Sequence, residues 1–145
     1  MVLELKLGLV SCAKSKQDYP CRAEEMYKPS NLFTKAYEYA SKHYDQVAIL
    51  SAKYGLLLPH EVIEPYELTL KTMGRKAKKQ WANRVYRQLK GKFDLDEISE
   101  IYFHAGMDYR EDLIPLLRRE GIRVQVPLKG LRQGEQLQWY SARII

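Results

Sequence analysis

The chain has 145 residues, a length that fits one compact domain, 1–145, with its own buried core. Its 46% hydrophobic and 29% charged residues, with 8 Gly and 6 Pro, exclude disordered, collagen-like and low-complexity sequence. The net charge is +6, and no stretch approaches the ~20 apolar residues of a membrane span, so a polyanionic partner is expected and a membrane one is not.

Leu3 to Val10 reads as a strand buried on both faces; Glu4 and Lys6 inside the apolar run mark it as a strand rather than a signal peptide, and the expected compartment is the cytoplasm. A polar loop, Ser11-Cys-Ala-Lys-Ser-Lys-Gln, follows it. Cys12 and Cys21 are too few for a disulfide framework, and His43, His60 and His104 add no metal-ligand spacing, so no metal and no cofactor is expected. Ser30 is a good N-cap for a helix over about Asn31 to His43, whose Leu32, Phe33, Ala36, Tyr37 and Ala40 share one face. Gln46 to Ser51 is a second strand, followed by a long irregular stretch containing Pro59 and Pro65. A basic helix runs from about Arg75 to Lys90, with Ala77, Trp81, Val85 and Leu89 on its buried side. Glu100 to His104 is a third strand. Asp108 can cap a helix over Tyr109 to Glu120 that ends at Gly121. Arg123 to Pro127 is a fourth strand, and Gly134 to Arg143 a short final helix within Leu128 to Ile145.

Strands separated by helices imply parallel pairing with right-handed crossovers. The expected architecture is α/β: a three-layer sandwich, Rossmann-like, with a four-stranded parallel sheet, for which the order 2-1-3-4 suits the elements. Ligands in such sheets sit beyond the carboxyl ends of the strands, where strand order reverses. Four loops meet there. The first carries Ser11, Cys12, Lys14 and Lys16; the second Ser51, Lys53, Tyr54 and Gly55. The third carries His104, Gly106, Asp108, Tyr109 and Arg110, and the fourth Lys129, Gly130, Arg132, Gly134 and Gln136. Each brings a cation, and small residues let backbone N–H groups approach an anion. No P-loop or dinucleotide fingerprint occurs.

For chemistry, Glu64 and Asp108 are the acids placed to activate a water, with His104 assisting because it titrates near neutrality. Cys12, flanked by Lys14 and Lys16, is a nucleophile candidate. The loop aromatics Tyr19, Tyr27, Tyr54, Tyr66 and Tyr109 could stack on a base, Tyr54 or Tyr66 foremost. Lys71 to Lys92 holds nine basic side chains and no acid, leaving the remainder of the chain at −3. The whole positive excess therefore lies on one segment, where Arg75, Lys76, Lys78, Lys79 and Arg87 would track a nucleic-acid backbone.

Ser-Cys-Ala-Lys-Ser-Lys, Met-Tyr-Lys-Pro-Ser-Asn-Leu-Phe, Leu-Ser-Ala-Lys-Tyr-Gly-Leu-Leu, Ile-Glu-Pro-Tyr-Glu-Leu-Thr-Leu, Ala-Gly-Met-Asp-Tyr-Arg and Pro-Leu-Lys-Gly-Leu-Arg-Gln-Gly-Glu-Gln-Leu-Gln-Trp together resemble a small family of uncharacterised bacterial and phage proteins, a domain of unknown function. The resemblance covers essentially the whole chain, and Ser-Ala-Lys-Tyr-Gly-Leu is its most specific part. It implies no reaction. More distantly, the layout is similar to that of uracil-DNA glycosylase-like and YaaA-like proteins. Lys14 and Lys16 stand where the glycosylases carry an acidic water-activating motif, a departure that argues against uracil excision itself.

The expectation is a nucleotide- or nucleic-acid-binding protein acting on a base or its N-glycosidic bond, as an N-glycosidase-like hydrolase or transferase. DNA, RNA and free nucleotide remain open as partners. Two other readings fit the same residues: a nucleic-acid-binding module without catalysis, and an enzyme on a small phosphorylated metabolite.

Overall fold

A computed structural model describes residues 4–144 of the chain. Leu3, expected in the first strand, and Ile145 lie outside the described residues. The main elements in chain order are β1 (Leu5–Ser11), β2 (Cys21–Arg22), α1 (Ala23–Met26), α2 (Asn31–His43), β3 (Gln46–Ser51), β4 (Gly55–Leu57), β5 (Val62–Ile63), α3 (Arg75–Lys92), β6 (Ile98–His104), α4 (Met107–Arg110), α5 (Leu113–Arg119), β7 (Arg123–Gln125) and α6 (Gln133–Arg143).

The fold is mixed α/β around a five-stranded, mostly parallel sheet of order β4-β3-β1-β6-β7. β3, β1, β6 and β7 pair in parallel, whereas β4 lies antiparallel against β3. The expected four-stranded, all-parallel sheet is corrected on this point. β4 was hidden because it is three residues long and returns from β3 through a tight turn. Gly55 closes that turn at φ +77°, a conformation costly for other residues. A Cβ there would also stand 2.2 Å from Gln88 Oε1, which accepts the Leu56 N–H at 2.8 Å. A separate two-stranded ribbon, β2 with β5, ties the loop after β1 to the loop after β4.

β1 is buried on both sides because successive residues point to opposite faces. Leu7 and Leu9 pack with Trp81, Val85 and Leu89 of α3 and with Leu113 and Leu117 of α5. Val10 and Ile49 pack with Phe33, Ala36 and Ala40 of α2 and Tyr140 of α6. Gly8 on the second face lets the Tyr44 ring lie against the strand, since a Cβ would come within 2.5 Å of its Cδ2.

The chain crosses from β1 to β3 by α2 on one face and from the β3–β4 hairpin to β6 by α3 on the other. The order in which strands are added across the sheet therefore reverses between β1 and β6, the place where such sheets open a crevice. Ser30 caps α2 by accepting the Phe33 N–H at 3.2 Å. The single helix expected over Tyr109–Glu120 is two, α4 and α5. Splitting it puts Pro115 in the first turn of α5, where a missing N–H costs nothing. Gly106, not Asp108, precedes the first of them, because the Asp108 carboxylate is taken by Lys78 at 2.7 Å.

Candidate functional site

Because β3, β1, β6 and β7 are parallel, the loops carrying Lys53, Lys14, Arg110 and Lys129 leave from one rim in that order. Neighbouring strands lie ~4.8 Å apart, so the outermost two are separated by roughly 14 Å at the strand ends. Of these four cations, Arg110 lines the cavity at the ends of β6 and β7, and Lys14, Lys53 and Lys129 are not among its lining residues. Lys14, Lys53 and Lys129 are exposed, and Arg110 is buried. The rim divides into two bays.

The first bay lies around Cys12, which packs against the cores on both faces of the sheet. Its backbone N–H donates to Leu50 O at 2.8 Å, and its Sγ–H donates to Tyr109 Oη at 3.4 Å, a contact between the β1 loop and α4. Ser51 Oγ hydrogen-bonds with Tyr66 Oη at 2.7 Å, and Tyr66 Oη with Tyr27 Oη at 2.8 Å. Ser51 Oγ also accepts the Tyr54 N–H at 3.0 Å, while Ser51 O accepts Trp81 Nε1–H at 2.9 Å. Burial pushes the Tyr27, Tyr66 and Tyr109 phenols up, so they hold their protons and bond as neutral groups. Lys16 places its ammonium 4.6 Å from the Tyr66 ring centroid. Burial lowers the Lys16 pKa, with Cys12 and Glu67 acting in the opposite direction. Tyr54 stands edge-on to Tyr66, their centroids 5.7 Å apart. Its hydroxyl donates to Glu64 O at 3.4 Å and accepts the Glu64 N–H at 3.3 Å, which anchors the returning loop by its backbone. The Glu64 side chain is left exposed, and Ser11 is half-buried.

The second bay is a cavity of about 160 Å³ between the ends of β6 and β7. Its lining includes His104, Gly106, Met107, Arg110, Gly130 and Gln136. His104 is buried with both ring nitrogens engaged: Nε2 with Tyr44 Oη and Nδ1 with Tyr140 Oη, each at 2.6 Å. Burial, reinforced by His43, lowers its pKa to about 4, so it is neutral near pH 7. This arrangement makes His104 a hydrogen-bonded framework residue and leaves no ring nitrogen for the general acid–base role expected of it. Arg110 is 8% exposed. Its Nε is buried with no hydrogen-bond partner among the described residues, and Nη1 donates to Met107 Sδ at 3.6 Å.

The basic segment is a helix as expected, but its charges are not alike. Arg75 pairs with Asp112 at 2.8 Å and with Glu111 at 3.7 Å, Lys78 with Asp108 at 2.7 Å, and Lys92 with Glu61 at 2.6 Å. Lys78 lies on the core side of α3, three residues before Trp81, and is half-buried. Arg75 and Lys78 are thus neutralised from α4 and α5 rather than offered to a partner. Lys76, Lys79, Arg87 and Lys90 are exposed and form no salt bridge among the described residues. Their spacing of three, eight and three residues sets them on one helical line, opposite Trp81, Val85 and Leu89. Asp108, expected as a water-activating acid, is committed to Lys78.

Tyr27, Tyr44, Trp81, Gln136 and Tyr140 complete these bays. Tyr44 and Tyr140 went unread in the sequence, and only their partners in space distinguish them. Among the described residues, no group of three or more His, Cys, Asp or Glu side chains could hold a metal ion, and no helix is long and apolar enough to cross a membrane.

The profile of the family of unknown function DUF6884 matches residues 7–142, so the chain belongs to that family. No curated protein and no solved structure matches it.

Proposed function

We propose that this protein binds nucleic acid by laying the sugar–phosphate backbone along α3, on one face of a Rossmann-like sheet and in a cytoplasmic setting. The observation that carries the reading is the line Lys76, Lys79, Arg87 and Lys90, exposed and without acidic partners among the described residues. From Lys76 to Lys90 it spans about 21 Å at 1.5 Å per residue. A merely solvated helix face mixes both signs. Here the acids that form salt bridges with α3 come from other elements and reach Arg75, Lys78 and Lys92, while Glu120 accepts from the Tyr86 hydroxyl.

The support is for binding. With Asp108 held by Lys78 and His104 by two tyrosines, Glu64 is the exposed carboxylate left for any action on a base or N-glycosidic bond. Tyr54, beside it, would supply the stacking surface. Fluorescence anisotropy with a labelled single-stranded oligonucleotide over a salt series tests the reading. Four backbone contacts give a slope of log K against log salt near about −3. The triple variant Lys76→Glu/Lys79→Glu/Arg87→Glu brings it close to zero with an unchanged far-UV spectrum. An unchanged slope in that variant refutes the proposal.

A further inference from the structure

Arginine keeps its charge at any pH that proteins experience, so a buried guanidinium cannot escape the cost of burial by losing a proton. Arg110 is such a group. At 8% exposure, it has no carboxylate paired with it among the described residues. The nearby acids are committed elsewhere: Asp108 to Lys78, and Glu111 and Asp112 to Arg75. Among the described residues, its guanidinium donates a hydrogen bond only to a thioether sulfur, a weak acceptor. The Nε–H is buried without a partner and belongs to a side chain that lines the cavity.

The cavity around it is built for an anion. Gly106 and Gly130 line it, and at each a built Cβ meets nothing within 4 Å, so a ligand can come up to the backbone there. Gln136, in the first turn of α6, lines it as well; its amide nitrogen is spent on Leu131 O at 2.9 Å. The adjacent His104 and Tyr140 use their polar atoms on each other and are therefore walls rather than competitors. The volume of about 160 Å³ is below the ~300–1,000 Å³ of drug-sized ligand sites. It suits a compact oxyanion, or the charged head of a longer molecule that continues over the rim.

We propose that the cavity between the ends of β6 and β7 is a phosphate-binding site in which the Arg110 guanidinium takes two phosphate oxygens through its unpartnered edge. A planar fork of parallel N–H donors matches that geometry, which an ammonium would not. The phosphate can come from a free phosphate or mononucleotide, or from the phosphorylated end of a strand. The inference does not rest on α3: the site is a separate bay, and its contacts are with a phosphate group rather than a backbone run.

Calorimetry with inorganic phosphate, on the whole chain, tests it. Arg110→Lys keeps the charge and removes the fork. Gly106→Asp leaves Arg110 in place and sets a carboxylate at the cavity, at a position with φ −69° that any residue adopts. Wild type binds phosphate, and each variant weakens binding by about 10–100-fold, the range for loss of a charge-assisted hydrogen bond. The α3 triple variant keeps the wild-type Kd, so failure of the nucleic-acid reading and failure of this one are separable. Preference for a 5′-phosphorylated oligonucleotide over its 5′-hydroxyl twin assigns the phosphate to a strand end; equal binding of the two assigns it to a small molecule. No binding of phosphate to wild type, or equal binding to wild type and both variants, overturns the proposal.

Discussion

Acidification should destabilise the protein through His104, and the size of the effect follows from its surroundings. The imidazole is buried with Tyr44 and Tyr140 on its two nitrogens, and burial lowers its pKa from 6.5 to about 4. Unfolded, it titrates at its ordinary value. Between these two values the unfolded chain binds the extra proton, so stability rises with pH through the window and is lost as pH falls through it. At 1.36 kcal/mol per unit the full loss is about 3 kcal/mol below pH 4, and acidifying from pH 7 to pH 5 removes about 2 kcal/mol. For a domain of this size that lowers Tm by about 4–8 °C. Carboxylates also titrate near the lower end, so the control is His104→Gln, which is neutral throughout. Urea unfolding of both proteins at pH 7 and pH 5 isolates the histidine: wild type should lose about 2 kcal/mol more than the variant. Equal losses, or an imidazole NMR titration with its midpoint near 6.5, would refute the linkage.

Gly55→Ala should cost about 2–4 kcal/mol by thermal unfolding, because it strains a residue at φ +77° and displaces the Gln88 oxygen that accepts the Leu56 N–H. A change within experimental error would mean that β4 is not built as described. Ser51→Ala removes a buried hydroxyl shared by Tyr66 and the Tyr54 N–H. A loss of about 1–3 kcal/mol is expected, measured by denaturant midpoint, with exposure of Tyr66 to quenchers. Trp81→Phe leaves the Ser51 carbonyl without its indole donor and should cost about 1 kcal/mol or more in the same assay.

The parts of the fold that were legible in the sequence are those with strong local signals. β1 and β6 are apolar runs, Ser30 is a capping residue, and the apolar positions of α3 recur at four-residue spacing. Their burial needed no partner to be read. β2, β4 and β5 have two or three residues each and are defined by what they pair with, so they left no period to detect. The split of the helix after β6 was written in Pro115, but Asp108 looked like a cap until Lys78 claimed it. The candidate site divides in the same way. The rim of cations follows from parallel strands, whereas Arg110 and Lys53 look alike in a sequence and differ in burial. The count of basic residues between Lys71 and Lys92 was complete and the count of acids near them was not. Asp108, Glu111, Asp112 and Glu61 arrive from distant segments and leave a narrower basic line than nine cations suggest.

An amide-resolved NMR titration of the whole chain with a short oligonucleotide tests the central claim most directly, because it reports place as well as affinity. The account predicts that the shifted amides gather on α3 between Lys76 and Lys90 and at the adjoining rim, and that added salt reverses the shifts. Shifts gathered instead on the α2 and α6 face of the sheet, or none at concentrations where the oligonucleotide binds, would contradict it.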